Sequence, residues 1–389
     1  MYLLIEFFLF GSFIILIYTY LIYPLIIKII SKFYASDEQR ITNQLFSVSI
    51  IISAYNEEKV LKQRIENIAK LNYDFRNIEV LVGSDCSNDK TNEILDSLKG
   101  KYPWLTVFKF NKRRGKASVL NDLVKESKNE ILLFTDANTN FDRDILKYIL
   151  PHFNNPKIGG VSGRLILTEP EKNFNKSIEE KKYWNYETKI KLNEGRCGIL
   201  IGANGGIYSV RKCLFENIPI EKAVTDDLFI TLSILKQNYK FIYEFNAIAS
   251  EEVAHELLHE FRRKVRFAST NFQTIVYTKE LFFNKNILIP FTIWSHKIFR
   301  WLSPILFIII LISNFALYNK TKFFEFLFYS QVIFYFLSFS GFVLNYTKIK
   351  NKVFTIPFYF VMTNVALVIG LIKFIRNKHE AYWQSTPRE

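Results

Sequence analysis

Three hydrophobic patterns divide the chain. Residues 2–30 are almost continuously apolar, with only Glu6 and Lys28 charged. A run of this length exceeds the apolar core of a signal peptide and lacks the basic stretch that precedes one, so it predicts an uncleaved membrane-spanning helix. Residues 33–286 alternate short β-rich runs with helical periodicity, which predicts a layered α/β domain. Residues 302–317, 323–344 and 353–372 are again apolar, each near the ~20 residues that span hydrocarbon, and the first is the shortest. Ahead of them, residues 293–301 interleave aromatic and basic side chains as on a helix lying in the headgroup layer. The expected division is an anchor at 1–32, a domain at 33–286, and at 287–389 an interfacial helix, about three transmembrane helices and a short tail.

Flanking charge orients these segments. Lys28 and Lys32 follow the first apolar run, so the positive-inside bias places the N-terminus outside and the α/β domain in the cytoplasm. Lys348, Lys350 and Lys352 mark a cytoplasmic loop. Three C-terminal crossings would then put Lys373, Arg376, Lys378 and Arg388 outside, against the same bias. Either one span is re-entrant or the rule fails here.

Within the α/β domain, residues 48–52, 78–82, 106–110 and 131–135 read as strands. Helical stretches near 57–70, 91–99 and 116–125 separate them, and connections of this length fit parallel pairing. Ligands of an open parallel sheet bind outside the carboxyl ends of its strands, so the polar residues there carry the chemistry. These are Ala54-Tyr55-Asn56-Glu57, then Ser84-Asp85-Cys86-Ser87-Asn88-Asp89, then Asp136-Ala137-Asn138. Asp89, Asp142 and Asp144 read as helix caps. Asp85 and Asp136 directly follow buried strands and converge on one crevice, an arrangement suited to a ribose hydroxyl and to a divalent metal carrying phosphates.

Further along, Gly115-Lys116 opens a helix, where an ammonium can approach phosphate or a base. Gly202-Ala203-Asn204-Gly205-Gly206 allows close backbone approach to a ligand, or is a plain turn. Thr225 could cap the following helix, but the two acids beside it, Asp226 and Asp227, exceed what capping needs; one is a candidate general base. Residues 262–267, Arg-Arg-Lys-Val-Arg-Phe, form the basic face of an amphipathic helix that suits lipid headgroups, solvent or phosphate.

Charge distribution narrows the partners. The chain carries 51 Lys+Arg against 37 Asp+Glu, a net +14. Residues 31–286 account for 39 basic and 33 acidic residues, the flanking segments for 12 and 4. More than half of the excess therefore anchors the membrane segments, and +4 of the domain's +6 lies in residues 260–286. This argues for membrane lipids and local phosphate handling rather than nucleic acid. Three cysteines with no CxxC pair exclude a disulfide framework and a thiolate zinc site, in keeping with a reducing compartment.

Taken in order, Ala54-Tyr55-Asn56-Glu57-Glu58, Asp85 with Ser87 and Asp89, Gly115-Lys116 with Asn121, Asp136-Ala137-Asn138, Gly202 to Gly206, Thr225-Asp226-Asp227 and Arg263-Lys264-Val265-Arg266-Phe267 resemble the membrane-anchored family 2 glycosyltransferases, relatives of the cellulose, hyaluronan and poly-N-acetylglucosamine synthases. The resemblance implies a GT-A nucleotide-sugar fold, a nucleotide-diphosphate donor, usually a UDP-sugar, inversion at the anomeric carbon, and a divalent cation, Mg²⁺ or Mn²⁺. It implies that Ala54, Tyr55, Glu57 and Asp85 line the donor site, with Asp85 on the uridine. Asp136 would reach metal and diphosphate, with Asn138 at the second metal position. Lys116, Arg263, Lys264 and Arg266 would meet the donor phosphates, Asn204 and Gly205 would border the acceptor, and Asp227, or Asp226 beside it, would be the base. The acceptor would be a glycan or lipid-linked hydroxyl.

Asn138 stands where a second Asp is usual, leaving metal binding weaker or more reliant on donor phosphates. Asp226 replaces a Glu. The Gln and Trp of the motif tied to processive synthesis are absent around Arg263–Phe267, which favours transfer of one sugar or a short chain. Two competing readings remain. His255-Glu256-Leu257-Leu258-His259 spells the HExxH of zinc metalloproteases, although no Gly-x-x-His extension follows and Glu280 is the nearest third ligand. A catalytically degenerate scaffold that only binds nucleotide sugar is the other.

Overall fold

The computed structural model describes residues 1–34, 45–168, 177–252, 257–344 and 351–377. Helix α1 (Tyr2–Ser31) is followed by β1 (Val48–Ala54), α2 (Leu61–Ile68), β2 (Ile78–Asp85), α3 (Thr91–Lys101), β3 (Leu105–Phe110), α4 (Lys116–Glu126) and β4 (Ile131–Asp136). Next come β5 (Thr139–Phe141), α5 (Ile145–Ile149), β6 (Ile158–Thr168), α6 (Ser177–Arg196), β7 (Tyr208–Arg211), α7 (Asp226–Lys236), β8 (Lys240–Glu252) and α8 (Leu257–Tyr277). Then follow α9 (Leu288–Trp301), α10 (Ser303–Leu317), α11 (Lys322–Leu344) and α12 (Lys352–Ile375).

One mixed sheet, ordered β3-β2-β1-β4-β7-β6-β8-β5, carries the domain. The four strands expected to be parallel are so, paired β3/β2/β1/β4. Period-2 side-chain alternation builds a core on each face. Ile51, Leu81, Leu132 and Phe134 enter one cluster, while Ile50, Ile52, Val80, Val82, Ile131 and Leu133 enter the other. Beyond β4 the sheet changes character. β7 runs antiparallel to β4 and β6, β6 pairs parallel with β8, and β5 closes the edge antiparallel to β8.

The chain leaves β1 toward β2 and β3, then returns to place β4 on β1's other side. This reversal opens a crevice at the carboxyl ends of β1 and β4. Ser53 is opposite both Gly83 and Asp136, so the ends of β2 and β4 flank that crevice at the same level.

The membrane helices share the domain's core. Tyr23 and Ile27 of α1, Ile289, Ile293 and Trp301 of α9, and Phe272 and Ile275 of α8 all belong to the cluster containing Phe134 and Leu132. A polar chain crosses the same junction. Tyr23 Oη donates to Glu194 Oε1 at 2.7 Å, His296 places Nδ1 2.5 Å from Glu194 and Nε2 2.9 Å from Glu187, and Arg300 Nη1 donates to Glu187 at 2.5 Å. Burial opposes ionisation of Glu187, but His296, Arg300 and Lys297 outweigh it and hold the carboxyl well below its ordinary range. Both membrane segments that build this junction contain π-helical turns, Tyr18–Ile22 and Ile293–Ile298, and Tyr18 Oη meets Ser295 Oγ between them at 2.7 Å.

Among the described residues, three helices are long and apolar enough to cross a bilayer: α1, α11 and α12. The apolar run expected as the first C-terminal span is the 15-residue α10. At 1.5 Å per residue this reaches only about 22 Å, short of ~30 Å of hydrocarbon. Only together with α9, from which it bends by 55°, is it long and apolar enough, as a broken span or a re-entrant loop. Residues 293–301, expected as an interfacial helix, are the second half of α9. α10 runs antiparallel beside α1, since Ser303 meets Tyr20 and Lys320 pairs with Glu6.

α8 lies directly on α12. A Cβ built on Gly370 would stand 2.4 Å from Ala268 Cβ and 2.8 Å from the Val265 carbonyl oxygen, whereas one on Gly11 of α1 would meet nothing within 4 Å. Alanine normally stabilises a helix interior relative to glycine. We therefore expect Gly11→Ala to be neutral or stabilising and Gly370→Ala to destabilise by about 1–3 kcal/mol through overpacking. Thermal midpoints of the purified protein in detergent compare the two; equal behaviour would refute the close α8–α12 contact.

Candidate active site

The loops after β1 and β2 are stitched together by side chains reaching backbone. Asn56 takes a left-handed conformation at φ 54°, tolerated by an Asn, and its Oδ1 accepts from the Asn88 N–H at 3.0 Å. Its own N–H donates to Ser87 Oγ, that of Glu57 to Thr91 Oγ1 and that of Glu58 to Asp89 Oδ2. Asp89 also accepts from Thr91 N–H at 3.0 Å, which is the helix-start role expected of it. Tyr55, beyond the buried Ala54, carries the Arg113 guanidinium 3.7 Å from its ring centroid. Arg113 was not singled out from sequence.

Asp85 is 3% exposed, and its two oxygens accept the backbone N–H groups of Arg114 and Gly115, both at 2.8 Å. Gly115 sits at φ 85°, a region glycine enters without Cβ strain. Together they set the first turn of α4, and so the position of Lys116.

Lys116 Nζ lies 2.8 Å from Asp136 Oδ1 and 2.9 Å from Asp226 Oδ2. Burial works against the ammonium, but the two carboxylates outweigh it and raise its pKa above the ordinary value. The side chains of Lys116, Asp136 and Asp226 remain 30%, 34% and 21% exposed, so a ligand can reach all three.

Asp227 is next to this clamp without belonging to it. Burial, then repulsion from Asp226, pushes its carboxyl up to about 6, against the pull of Lys191, Lys116 and the Leu228 N–H. Gly205 lies against two of the carboxylates: a Cβ there would stand 3.2 Å from Asp227 Oδ2 and 3.9 Å from Asp136 Oδ2. Any larger residue would crowd the space between them.

Asn204, expected at the acceptor border, is only 5% exposed. Its N–H donates to Ser162 Oγ, its Nδ2 to the Gly163 carbonyl at 2.7 Å, and its Oδ1 accepts from Lys191 Nζ at 2.7 Å. It pins the glycine loop. Lys191 itself is pushed down to about 8, first by burial and then by Lys297.

Thr225 occupies the N-cap position of α7 but makes no capping hydrogen bond. Its hydroxyl instead donates to Asn271 Oδ1 and meets Thr270 Oγ1, both at 2.7 Å, and its N–H donates to Thr274 Oγ1. The expectation of a side-chain cap is thus corrected: a partner on α8 outcompetes the helix's own N–H groups. These contacts dock α8 beside Asp226 and Asp227. Arg263, Lys264 and Arg266, all half-buried, lie on its preceding turns, with Lys264 3.2 Å from Glu260.

Asn138 donates from Nδ2 to Glu251 Oε1 of β8 at 2.7 Å. Asp136 and Asn138 together offer hard oxygen donors of the kind Mg²⁺ and Mn²⁺ take, and so fit such an ion. Beneath Asp136, Arg64 is 1% exposed, donates to Thr135 Oγ1 at 2.9 Å and Asn67 Oδ1 at 2.8 Å, and lies 3.9 Å from the Phe141 ring centroid. Burial lowers its pKa to about 9, with Asp136 opposing. Neither Arg64, Lys191 nor Glu251 was marked by sequence, because nothing in their neighbourhoods along the chain is distinctive. Of the HExxH stretch, His255 and Glu256 lie outside the described residues. Among the described residues no three His, Cys, Asp or Glu side chains form a metal cage.

Residues 49–215 match the model of glycosyl transferase family 2. The chain is 26% identical over 230 residues to the beta-monoglucosyldiacylglycerol synthase of Synechocystis sp., covering 58% of this chain but only 48% of that protein. It is 24% identical over 325 residues to a poly-beta-1,6-N-acetyl-D-glucosamine synthase of Staphylococcus epidermidis, covering 80% of this chain and 75% of the relative. A mannosyltransferase from Pyrobaculum calidifontis, solved with GDP-Man and Mn²⁺, superposes with a TM-score of 0.71 over 97% of this chain and 99% of its own, at 17% identity. That likeness establishes a shared GT-A fold.

The raised Asp227 carboxyl carries a stability signature. A folded-state pKa near 6 against an ordinary 3.8 means that ionising Asp227 opposes folding, a penalty absent below pH 4 and complete above pH 6. Asp227→Asn should therefore stabilise the protein by about 1–2 kcal/mol at pH 7.5, after allowance for solvent screening, and confer no advantage at pH 4. Thermal midpoints across that range test the sign.

Proposed function

We propose that this chain, a family 2 glycosyltransferase with a GT-A domain, transfers a sugar from a nucleoside-diphosphate donor, a UDP-sugar foremost, to a hydroxyl of a glycan or lipid-linked acceptor at the membrane. The catalytic domain faces the cytoplasm and the reaction inverts the anomeric carbon. The observation that carries this reading is the convergence of Asp136, Asp226 and Asp227 around Lys116 and Gly205 at the carboxyl edge of the sheet. One relative is named for a glycolipid and another for a polysaccharide, which supports both acceptor classes.

The chemistry needs a base, a counter-charge and a place for the nucleoside. A sugar hydroxyl is a poor nucleophile, so its proton must leave as its oxygen bonds the anomeric carbon and the bond to the donor phosphate breaks. Asp227 takes that proton. Its carboxyl, poised near 6 and outside the Lys116 ion pairs, is ionised at neutral pH yet basic enough to accept one. Asp226, engaged by Lys116, serves less well. Asp136 and Asn138 would hold Mg²⁺ or Mn²⁺, which when bound neutralises charge on the departing diphosphate. Lys116 stays an ammonium and offers that charge directly, with Arg263, Lys264 and Arg266 available from α8. Tyr55, stacked with Arg113, and Asp85, holding the loop before α4, form the nucleoside end. The phenylalanine at 267 and the absence of the processive Gln and Trp favour transfer of one or a few sugars. The relatives named for a glycolipid and a polysaccharide support polysaccharide or cell-envelope synthesis at a plasma membrane as its setting.

Purified full-length protein with Mn²⁺ and a panel of nucleotide sugars should release nucleoside diphosphate. Asp227→Asn should lower turnover about 10²–10⁴-fold while leaving the donor KM nearly unchanged, and Asp226→Asn should be milder. Wild-type turnover should fall as pH drops through about 6. Full activity in Asp227→Asn, or no turnover with any donor, sinks the proposal; the second outcome with retained donor binding would leave a nucleotide-sugar-binding scaffold.

A further inference from the structure

The second position of the Asp136-Ala137-Asn138 stretch carries an amide, and a carboxylate from a distant strand stands against it. β5 pairs antiparallel with β8, with Thr139 opposite Glu251, which brings together residues 113 positions apart. Asn138 Nδ2 donates to Glu251 Oε1 at 2.7 Å. The backbone of Glu251 is held on its other side, opposite Leu167 of β6, and its carbonyl accepts from Thr168 Oγ1 at 3.3 Å. The carboxylate is thus delivered to Asn138 by two strand pairings.

An ionised carboxylate only accepts hydrogen bonds, so the amide must turn its NH₂ toward Glu251 and leave Oδ1 on the opposite side. A hydrogen bond to a charged acceptor also polarises the amide and enriches Oδ1 in electron density. A second carboxylate in place of Asn138 would lie at hydrogen-bond distance from Glu251 and be repelled by it.

We propose that Glu251 is a positioning residue of the metal and diphosphate site: it orients Asn138 so that Oδ1 serves the cation held with Asp136, and it restores the negative charge that the amide lacks. This rests on the metal-dependent transfer reading above. Groups that orient a metal ligand change affinity about 10–100-fold when removed. Sequence position alone gives no hint of the pairing, since Glu251 is one of two adjacent glutamates near the end of a long strand.

The test is Mn²⁺ affinity of the full-length protein in detergent, read from the free-ion electron paramagnetic resonance signal with UDP and, in parallel, GDP. Glu251→Gln, which removes the charge, should weaken Mn²⁺ binding about 10-fold or more. Asn138→Asp alone should weaken it too, because two carboxylates then compete for one place. The Asn138→Asp/Glu251→Gln double variant should return to within about 3-fold of wild type, a compensation that a purely structural role of Glu251 does not produce. No Mn²⁺ uptake by the wild type with either nucleotide would overturn the metal-dependent reading and this inference with it. Normal uptake that neither single variant changes, or losses that simply add in the double variant, would overturn the role of Glu251 alone. Should Glu251→Gln prove too unstable to purify, tighter binding by the double variant than by Asn138→Asp still supports the pairing, and equal or weaker binding refutes it.

Discussion

Lys116 is the charge on which the rest of the site depends. Its ammonium ties Asp136, at the end of β4, to Asp226, at the start of α7. Without it, three carboxylates from two distant segments would share one crevice. Unit charges ~4 Å apart in partly solvated protein interact by about 4 kcal/mol, so a single cation decides whether that convergence holds. Asp227, buried and repelled by Asp226, is only partly compensated by Lys191 and Lys116, and its carboxyl rises toward 6. The clamp and the basicity of its neighbour are two consequences of one arrangement. Its position is set in turn by Asp85, whose grip on the Arg114 and Gly115 N–H groups fixes the turn from which Lys116 extends.

The membrane segments are part of the same machine. Tyr23, Glu194, His296, Glu187 and Arg300 form a continuous polar chain from α1 through α6 to α9. One turn from Glu187 on α6, Lys191 holds the Asn204 side chain, and with it the loop whose Gly205 lies against Asp227 and Asp136. On the other side α8 packs on α12 at Gly370 and binds Thr225 through Thr270, Asn271 and Thr274. Burying so many polar groups is costly unless each is satisfied by its neighbours, so shifting α1 or α9 would leave polar groups exposed to apolar surroundings and disturb the glycine loop that α6 holds.

Legibility in the sequence followed the range of the interaction. The four parallel strands, their helices and the carboxyl-edge residues were visible because alternation and short connections are local signals. The apolar run at 302–317 reads as the shortest C-terminal span because it is unbroken, but the 55° bend where α9 meets it is not written in its composition. Thr225 was read as a cap because it precedes a helix, yet its hydroxyl bonds α8. Asn204, placed at the acceptor border by the resemblance, is buried within the glycine loop, where Ser162, Gly163 and Lys191 hold it. Arg64, Arg113, Lys191 and Glu251 each meet a partner at least 12 positions away, as far as 113 for Glu251, or a ring face, and no local pattern marks them.

The sequence by itself determined the membrane-anchored α/β architecture, the order of its acidic and basic motifs, and the class of chemistry they support. Those properties are written in periodicity, in the apolar length of helices and in the side chains available at strand ends. Only the tertiary structure decided which acid is clamped and which is left basic, which loop residue is buried, and which carboxylate stands behind Asn138. Hydrogen-bond donors and charges choose partners by distance in space, and the mixed half of the sheet brings together residues whose separation along the chain carries no information about their contact.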